Sequence, residues 1–178
     1  MTRFLLIILL FFGHSTYSQN KFPTKLQVLN CLTKETKLKK NVYNSTSWFT
    51  AHSDSSYKGA DTLVFYNNPA YRYGKHFCRF IDWNFYKKDA FWMQRLELCE
   101  EPTTGSAAKE QDFYTFELND KQTPIILKIL HKGELVDMFE VLSLTKQPFG
   151  LRGNEITEVL TLHRIEVNKP AANTSLLP

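Results

Sequence analysis

Cysteine and histidine are the residue types in this chain that could carry nucleophilic or metal chemistry. The cysteines are Cys31, Cys78 and Cys99, and none of them belongs to a C-x-x-C motif, which redox proteins and zinc ribbons use. The histidines are spaced neither as H-x-x-x-H nor as H-E-x-x-H. Cys31 could act as a nucleophile only with a histidine beside it in space, and nothing in the local sequence indicates one. We therefore predict no catalytic residue, no metal ligand and no cofactor, and we interpret the protein as a non-enzyme.

Two of the cysteines bound one aromatic segment, CRFIDWNFYKKDAFWMQRLELC, which runs from Cys78 to Cys99. Its midpoint falls between Lys88 and Asp89, so a hairpin folded there sets the two cysteines opposite each other. Directly opposed residues in antiparallel strands have Cα atoms about 4.5–5.5 Å apart, which a disulfide tolerates. We predict a Cys78–Cys99 disulfide with Cys31 free. A bridge from Cys31 to either of the other cysteines is the alternative.

The same register sets Asp82 opposite Arg95 and divides the hairpin into a polar face and an apolar face. Five residues of the apolar face are candidates to line a ligand cavity: Trp83, Phe85, Trp92, Gln94 and Leu96. Flat apolar walls with one polar handle, Gln94, suit a small and mostly apolar ligand. The alternative is that these aromatic side chains fill a dry core.

Short β-branched and aromatic runs separated by turn residues follow one another from Asp61 onward. They are DTLVFY, FCRFIDWNFY, FWMQRLELC, DFYTFEL, IILKIL, LVDMFEVLSL and EVLTLHRIEV. A turn at Lys132-Gly133 sets Lys128 opposite Asp137, an opposite-charge pair that supports this hairpin. The spacing predicts an all-β fold, an antiparallel meander of about eight strands that forms a barrel, with a two-sheet sandwich as the alternative.

The residues before the first strand carry a helical stripe. Phe22, Leu26, Leu29 and Leu32 fall at i, i+4, i+7 and i+10, which predicts a short N-terminal helix. In DFYTFEL, strict alternation places Tyr114, Phe116 and Leu118 on one face of a strand.

The first residues, MTRFLLIILLFFGHSTYSQN, have the layout of a secretory signal peptide. We expect a signal peptide at 1–18, a lead-in at 19–44, a barrel domain at 45–168 and a flexible tail at 169–178. The apolar stretch is too short for a transmembrane helix, so we expect no transmembrane segment in the mature chain and a secreted or periplasmic location. Asn44 and Asn173 stand in N-glycosylation patterns. A formal net charge of +4 without a long basic run indicates no nucleic-acid partner.

The early tryptophan Trp48, the run FEVLSLT and the closing run LTLHRI, which includes Arg164, carry a family resemblance. Over about residues 45–165 the chain resembles the small secreted lipocalin-like proteins of Bacteroidetes, although STSW lacks the G-x-W signature of lipocalins. The resemblance implies a lipocalin-like barrel and no particular activity. We therefore expect a non-enzymatic protein that binds a small apolar ligand. The alternative is an extracytoplasmic interaction or structural module with a filled core and no small ligand.

Overall fold

A computed structural model describes residues 22–34, 45–52, 54–74, 78–97, 109–150 and 153–165, and strands make up most of these residues. The strands are β1 (Thr46–Thr50), β2 (Thr62–Tyr66), β3 (Arg79–Phe85), β4 (Ala90–Glu97), β5 (Phe113–Asn119), β6 (Ile126–His131), β7 (Glu134–Phe149) and β8 (Glu155–Arg164). The helices are α1 (Lys25–Leu32), α2 (Asp54–Gly59), α3 (Pro69–Gly74) and a 3-10 turn at Glu110–Asp112. The predicted signal peptide, the tail and the glycosylation patterns at Asn44 and Asn173 lie outside the described residues.

The eight strands form a closed barrel in which every neighbouring pair is antiparallel, in the order β1-β2-β8-β7-β6-β5-β4-β3. The predicted all-β, lipocalin-like barrel with a short N-terminal helix is confirmed, and the sandwich alternative is wrong. From β3 to β8 the chain is a meander. The first two strands depart from it, because β1 pairs with β3 while β2 pairs with β8. The connection from β2 to β3 therefore passes the end of β1.

One continuous cluster of buried side chains fills the interior of the barrel. Its members are Val28, Cys31, Leu32, Trp48, Tyr57, Leu63, Phe65, Ile81, Trp83, Phe85, Phe91, Phe116, Leu118, Ile125, Leu127, Ile129, Phe139, Val141, Leu160 and Leu162. The predicted common face of Tyr114, Phe116 and Leu118 is confirmed, since the last two belong to this cluster and Tyr114 packs against it. Aromatic rings supply much of the buried apolar area that stabilises the fold.

Helix α1 is present as predicted, but it buries a different face. Val28, Cys31 and Leu32 enter the core, whereas Phe22 and Leu26 are 40% and 65% exposed. The predicted stripe is wrong at its first two positions because the helix begins only at Lys25, after Phe22, and its C-terminal half is the part that enters the barrel.

A capping box fixes the start of α1. The Thr24 hydroxyl accepts from the Gln27 backbone N–H at 3.3 Å, and the Gln27 side-chain oxygen accepts from the Thr24 N–H at 2.7 Å. Together these bonds satisfy two of the backbone donors that the first turn leaves unpaired. The helix start is thus set by local sequence.

The first central hairpin has a register one residue away from the predicted one. Asp82 pairs with Gln94, not with Arg95. The cause is the loop: Tyr86 N–H bonds the Ala90 carbonyl at 3.3 Å, so three residues lie between this hydrogen-bonded pair, and the centre is Lys88. A slip of one residue moves every side chain of a strand to the opposite face.

In the observed register, Trp83 pairs with Met93 and Phe85 with Phe91, and these side chains face the interior. Three predicted cavity residues, Trp92, Gln94 and Leu96, therefore lie on the outer face of β4. Their assignment to the inner face is wrong.

The second hairpin turns at Lys132-Gly133 as predicted, with φ of 53° and 84°, as a two-residue turn with positive φ at both central positions requires. An irregularity between Ile129 and Leu130 then shifts the register, so that Asp137 pairs with Ile129. The predicted pairing of Lys128 with Asp137 is wrong for this reason. The shift places Asp137 in line with inward-facing positions of β7.

Candidate functional site

The inner row of β8 reads Glu158, Leu160, Leu162 and Arg164. The two leucines are at most 1% exposed and belong to the core, so the row is apolar in its middle and charged at each end. Helix α1 meets the Glu158 end and helix α2 meets the Arg164 end. These two ends differ in what they can do chemically.

At the Arg164 end the guanidinium group closes the barrel. It forms a two-point ion pair with Asp137, with Nε–Oδ1 at 3.1 Å and Nη2–Oδ2 at 3.0 Å. It also donates to the backbone carbonyls of Tyr57, Lys58 and Ala60 at 2.7, 2.8 and 3.0 Å. Arginine carries five N–H donors in a rigid fork, and here they bind a helix end to a strand. The role of this end is structural.

Burial governs the titrating groups beside Arg164. Desolvation raises the pKa of Asp137, and the hydrogen bond and charge of Arg164 oppose it. Desolvation also raises the pKa of Tyr57 well above its usual range, and the charge of Asp137 adds to that effect. Tyr57 is 6% exposed, so its hydroxyl is neutral and enclosed by protein.

The Glu158 end is open and holds a pocket of about 540 Å³. Its wall combines residues at or near strand ends with Lys34, which lies two residues after α1, and with the turn after β2. The lining residues are Lys34, Ser45, Thr46, Ser47, Asn67, Asn68, Pro69, Lys146, Ile156 and Glu158. A second pocket of about 230 Å³ shares Lys146 and Glu158 with the first. Most of the first wall is polar or charged.

Two side chains hold the Glu158 carboxylate in place. The Asn67 amide donates to Oε2 at 2.5 Å, and the Cys31 thiol donates to the same oxygen at 3.2 Å. In return the Asn67 side-chain oxygen accepts from the Glu158 backbone N–H at 2.9 Å. The carboxylate therefore has a fixed direction at the base of the pocket, as a binding group requires.

Cys31 is a free and buried cysteine. Desolvation raises the pKa of its thiol far above the usual range, and the hydrogen bond and charge of Glu158 raise it further, while Lys34 and Lys146 act in the opposite direction. Because the thiolate is the nucleophilic form, a thiol held neutral in this way is a poor nucleophile. Its contact is a carboxylate, not a histidine.

The predicted cavity residues do not converge on one space. Trp83 and Phe85 are fully buried, and the Trp83 ring packs 4.4 Å from the Phe65 ring and 5.0 Å from the Phe91 ring between centroids. On the outer surface, the Trp92 ring instead contacts Tyr86 and Phe113, at 5.5 and 6.5 Å. Gln94 and Leu96 follow Trp92 on that outer face.

The predicted Cys78–Cys99 disulfide stays a prediction, because Cys99 lies outside the described residues. Cys78 directly precedes β3, and the freedom of Cys31 is confirmed. The observed register is, however, one residue away from the one that set the two cysteines directly opposite each other, since Arg79 pairs with Glu97.

Sequence reasoning missed the residues that line the open pocket. Glu158 ends the run GNEITE, whose charges are typical of a solvated loop, and Asn67 lies in a turn marked by NNP. One pattern could have found Glu158: it continues the inward-facing row of Leu160 and Leu162. No local sequence pattern distinguishes Lys34 and Lys146 from the many exposed lysines of an ordinary protein surface.

Within the described part of the chain, no group of three or more His, Cys, Asp and Glu side chains is arranged to hold a metal ion. In the same residues, no helix combines the length and apolar character needed to cross a membrane. No protein-family model, curated protein or solved structure matches the chain.

Proposed function

We propose that this protein is an exported, non-enzymatic, lipocalin-like binding protein that takes a small polar ligand at the open end of a filled barrel. The pocket of about 540 Å³ carries the proposal, since small-molecule sites typically measure about 300–1,000 Å³ and contain a few converging polar groups. The resemblance to secreted lipocalin-like proteins of Bacteroidetes supports a secreted or periplasmic location.

The packing of the interior supports a ligand at the mouth over an apolar ligand inside. The two tryptophans of the interior, Trp48 and Trp83, are fully buried, and Trp83 has phenylalanine rings around it. An internal ligand would have to displace rings that already pack together, at the cost of the contacts that hold the barrel.

The state of the groups in the pocket supports binding over catalysis. The Cys31 thiol is neutral and engaged with Glu158, and the same carboxylate oxygen accepts from Asn67. Both groups already have partners that fix them in place. Groups fixed in this way suit the wall of a binding pocket better than they suit an activated nucleophile and its base.

A titration of isotope-labelled protein with a panel of polar metabolites tests the proposal. We expect at least one compound to shift the backbone amide resonances of Asn67, Lys146 and Glu158 in a saturable way. The same compound should raise the melting temperature, since a ligand that binds only the native state stabilises it. Asn67→Ala should weaken binding, whereas the outer-face control Gln94→Ala should not. Shifts confined to Trp83 and its neighbours would instead support a ligand in the interior.

The second candidate is an extracytoplasmic interaction module, favoured by exposed apolar side chains at the pocket end of the barrel. Leu26 and Ile156 are 65% and 57% exposed, and Ile156 also lines the pocket. Exposed apolar surface of this kind can mark a protein contact. A Leu26→Ser/Ile156→Ser variant that lost a complex while keeping ligand-induced shifts would favour this candidate.

A further inference from the structure

Two lysines line the open pocket, and neither forms an ion pair with a described carboxylate, although Lys146 lies directly across the β7–β8 ladder from Glu158. Lys34 follows α1 and Lys146 lies near the end of β7, so they reach the pocket from different elements. The ion pairs of the described residues involve other side chains, at Lys25–Asp120, Arg79–Glu97, Lys132–Glu110 and Arg164–Asp137. Neither ammonium group is therefore neutralised by a direct contact within the described part of the chain.

Both lysines act on the same point at the base of the pocket. Each stabilises the ionised form of the Cys31 thiol, against the effects of burial and of Glu158. Among the described lining residues, Glu158 is the one acidic side chain, and its Oε2 atom is already engaged by Asn67 and Cys31. Two lysines and one occupied carboxylate give this described part of the wall an excess of positive charge.

We propose that the pocket selects a ligand with an anionic group, a carboxylate or a phosphate, which binds between Lys34 and Lys146. This inference rests on the proposed function and names the ligand class for the same pocket. The pocket is also lined by Ser45, Thr46 and Ser47, whose hydroxyl groups are available for the neutral part of the ligand. Charge-assisted hydrogen bonds from ammonium groups to an oxyanion are stronger than bonds between neutral groups.

Acetate, inorganic phosphate and acetamide form a small set of probes that tests this inference. Acetamide has nearly the shape of acetate without its charge, and phosphate separates the two sources of anionic chemistry. We expect acetate or phosphate to shift the amide resonances of Lys34, Lys146 and Asn67 with a dissociation constant about tenfold lower than that of acetamide. Added sodium chloride should weaken the anion's binding, because salt screens exposed charges.

Matched variants identify the groups responsible. Lys34→Gln/Lys146→Gln should abolish the preference for the anion, and Lys34→Arg/Lys146→Arg should retain it. Lys58→Gln/Lys132→Gln removes the same net charge at the opposite end of the barrel and should change nothing. Equal binding of acetamide and the anions in the pocket would overturn the anion inference and leave the binding role intact. If none of the three probes, nor any member of the polar panel, shifted pocket resonances, both proposals would be wrong.

Discussion

Arg164 connects several elements at one end of the barrel. Its side chain is 15% exposed and that of Asp137 is 22% exposed, so the pair is largely shielded from water. The same guanidinium lies 5.2 Å from the Tyr57 ring centroid and 5.1 Å from that of Phe139, within cation–π range. One residue thus joins β8, β7 and helix α2.

We expect Arg164→Ala to lower the free energy of unfolding by about 3–5 kcal/mol, because it leaves the Asp137 charge unpaired in a shielded place. Arg164→Lys should recover only part of the loss, since an ammonium group has three donors and no fork. Urea unfolding followed by tryptophan fluorescence measures both. Lys25→Ala, which breaks an exposed ion pair with Asp120, is the control and should cost about 0–1 kcal/mol. A loss for Arg164→Ala no larger than that of the control would contradict the structural role.

At the scale of elements, the length of one loop decided which residues enter the core. Strand β4 carries large apolar side chains on both faces, with Phe91 and Met93 inside and Trp92 and Leu96 outside. The alternation of apolar residues in β4 is therefore compatible with either register. The observed register is selected by the loop between β3 and β4, which has an odd number of residues between Tyr86 and Ala90. Where alternation is clean, as in β5, the face could be predicted from the sequence alone.

Trp83→Ala and Trp92→Ala form a matched pair that tests this register. Trp83 is fully buried, and its truncation should cost about 3–5 kcal/mol. Trp92 lies on the outer face, where its ring contacts those of Tyr86 and Phe113, so its truncation should cost clearly less, about 1 kcal/mol. Equal losses in thermal or urea unfolding would favour the rejected register, which places both rings inside.

Helix α1 offers a similar pair. Val28 is fully buried while Leu26 is 65% exposed, although Leu26 belongs to the apolar stripe of the sequence. Val28→Ala should lower stability by about 1–3 kcal/mol through lost burial and a small cavity. Leu26→Ala should change it by less than about 0.5 kcal/mol, as for most surface substitutions. The reverse order of effects would restore the predicted stripe.

The fold could be predicted from the sequence more fully than the pocket could, and the reason is physical. Strand existence follows from local runs such as DFYTFEL, and the α1 start follows from the Thr24 capping box. The pocket depends instead on barrel closure, which brings Lys34 from one end of the chain beside Glu158 from the other. No local pattern predicts that these two residues line the same pocket. The turn sequence NNP indicates only that a strand ends just before Asn67.

At the scale of the whole molecule, burial shifts several weak acids in the same direction. The pKa values of Cys31, Tyr57, Tyr66, Tyr86 and Tyr114 are all raised, with desolvation as the largest cause in each. The folded state therefore holds these protons more tightly than the unfolded state does. Their stabilising contribution is complete below the unfolded pKa values and is lost as the pH rises above them.

We expect the contribution of these groups to the free energy of unfolding to stay constant up to about pH 8 and to decline at higher pH. The ordinary pKa values of the cysteine and tyrosine groups are 9.0 and 10.0, so loss should begin near pH 9 and steepen above pH 10. Each fully shifted group removes about 1.4 kcal/mol per pH unit in that range. Urea unfolding at pH 7, 9, 10 and 11 measures the decline. Cys31→Ala/Tyr57→Phe should make the decline shallower, and an unchanged slope would show that these two groups do not control it.

Because β1 pairs with β3 and β2 pairs with β8, the order of the strands affects how the chain reaches its native state. Strand β2 is made early, yet its partner β8 is the last strand among the described residues: Leu63 pairs with Leu162, about a hundred residues later in the chain. Until β8 arrives, β2 presents an unpaired edge able to pair with other chains. Such non-local pairing makes folding slow. We therefore expect the emerging chain to be prone to aggregation until β8 is available to pair with β2.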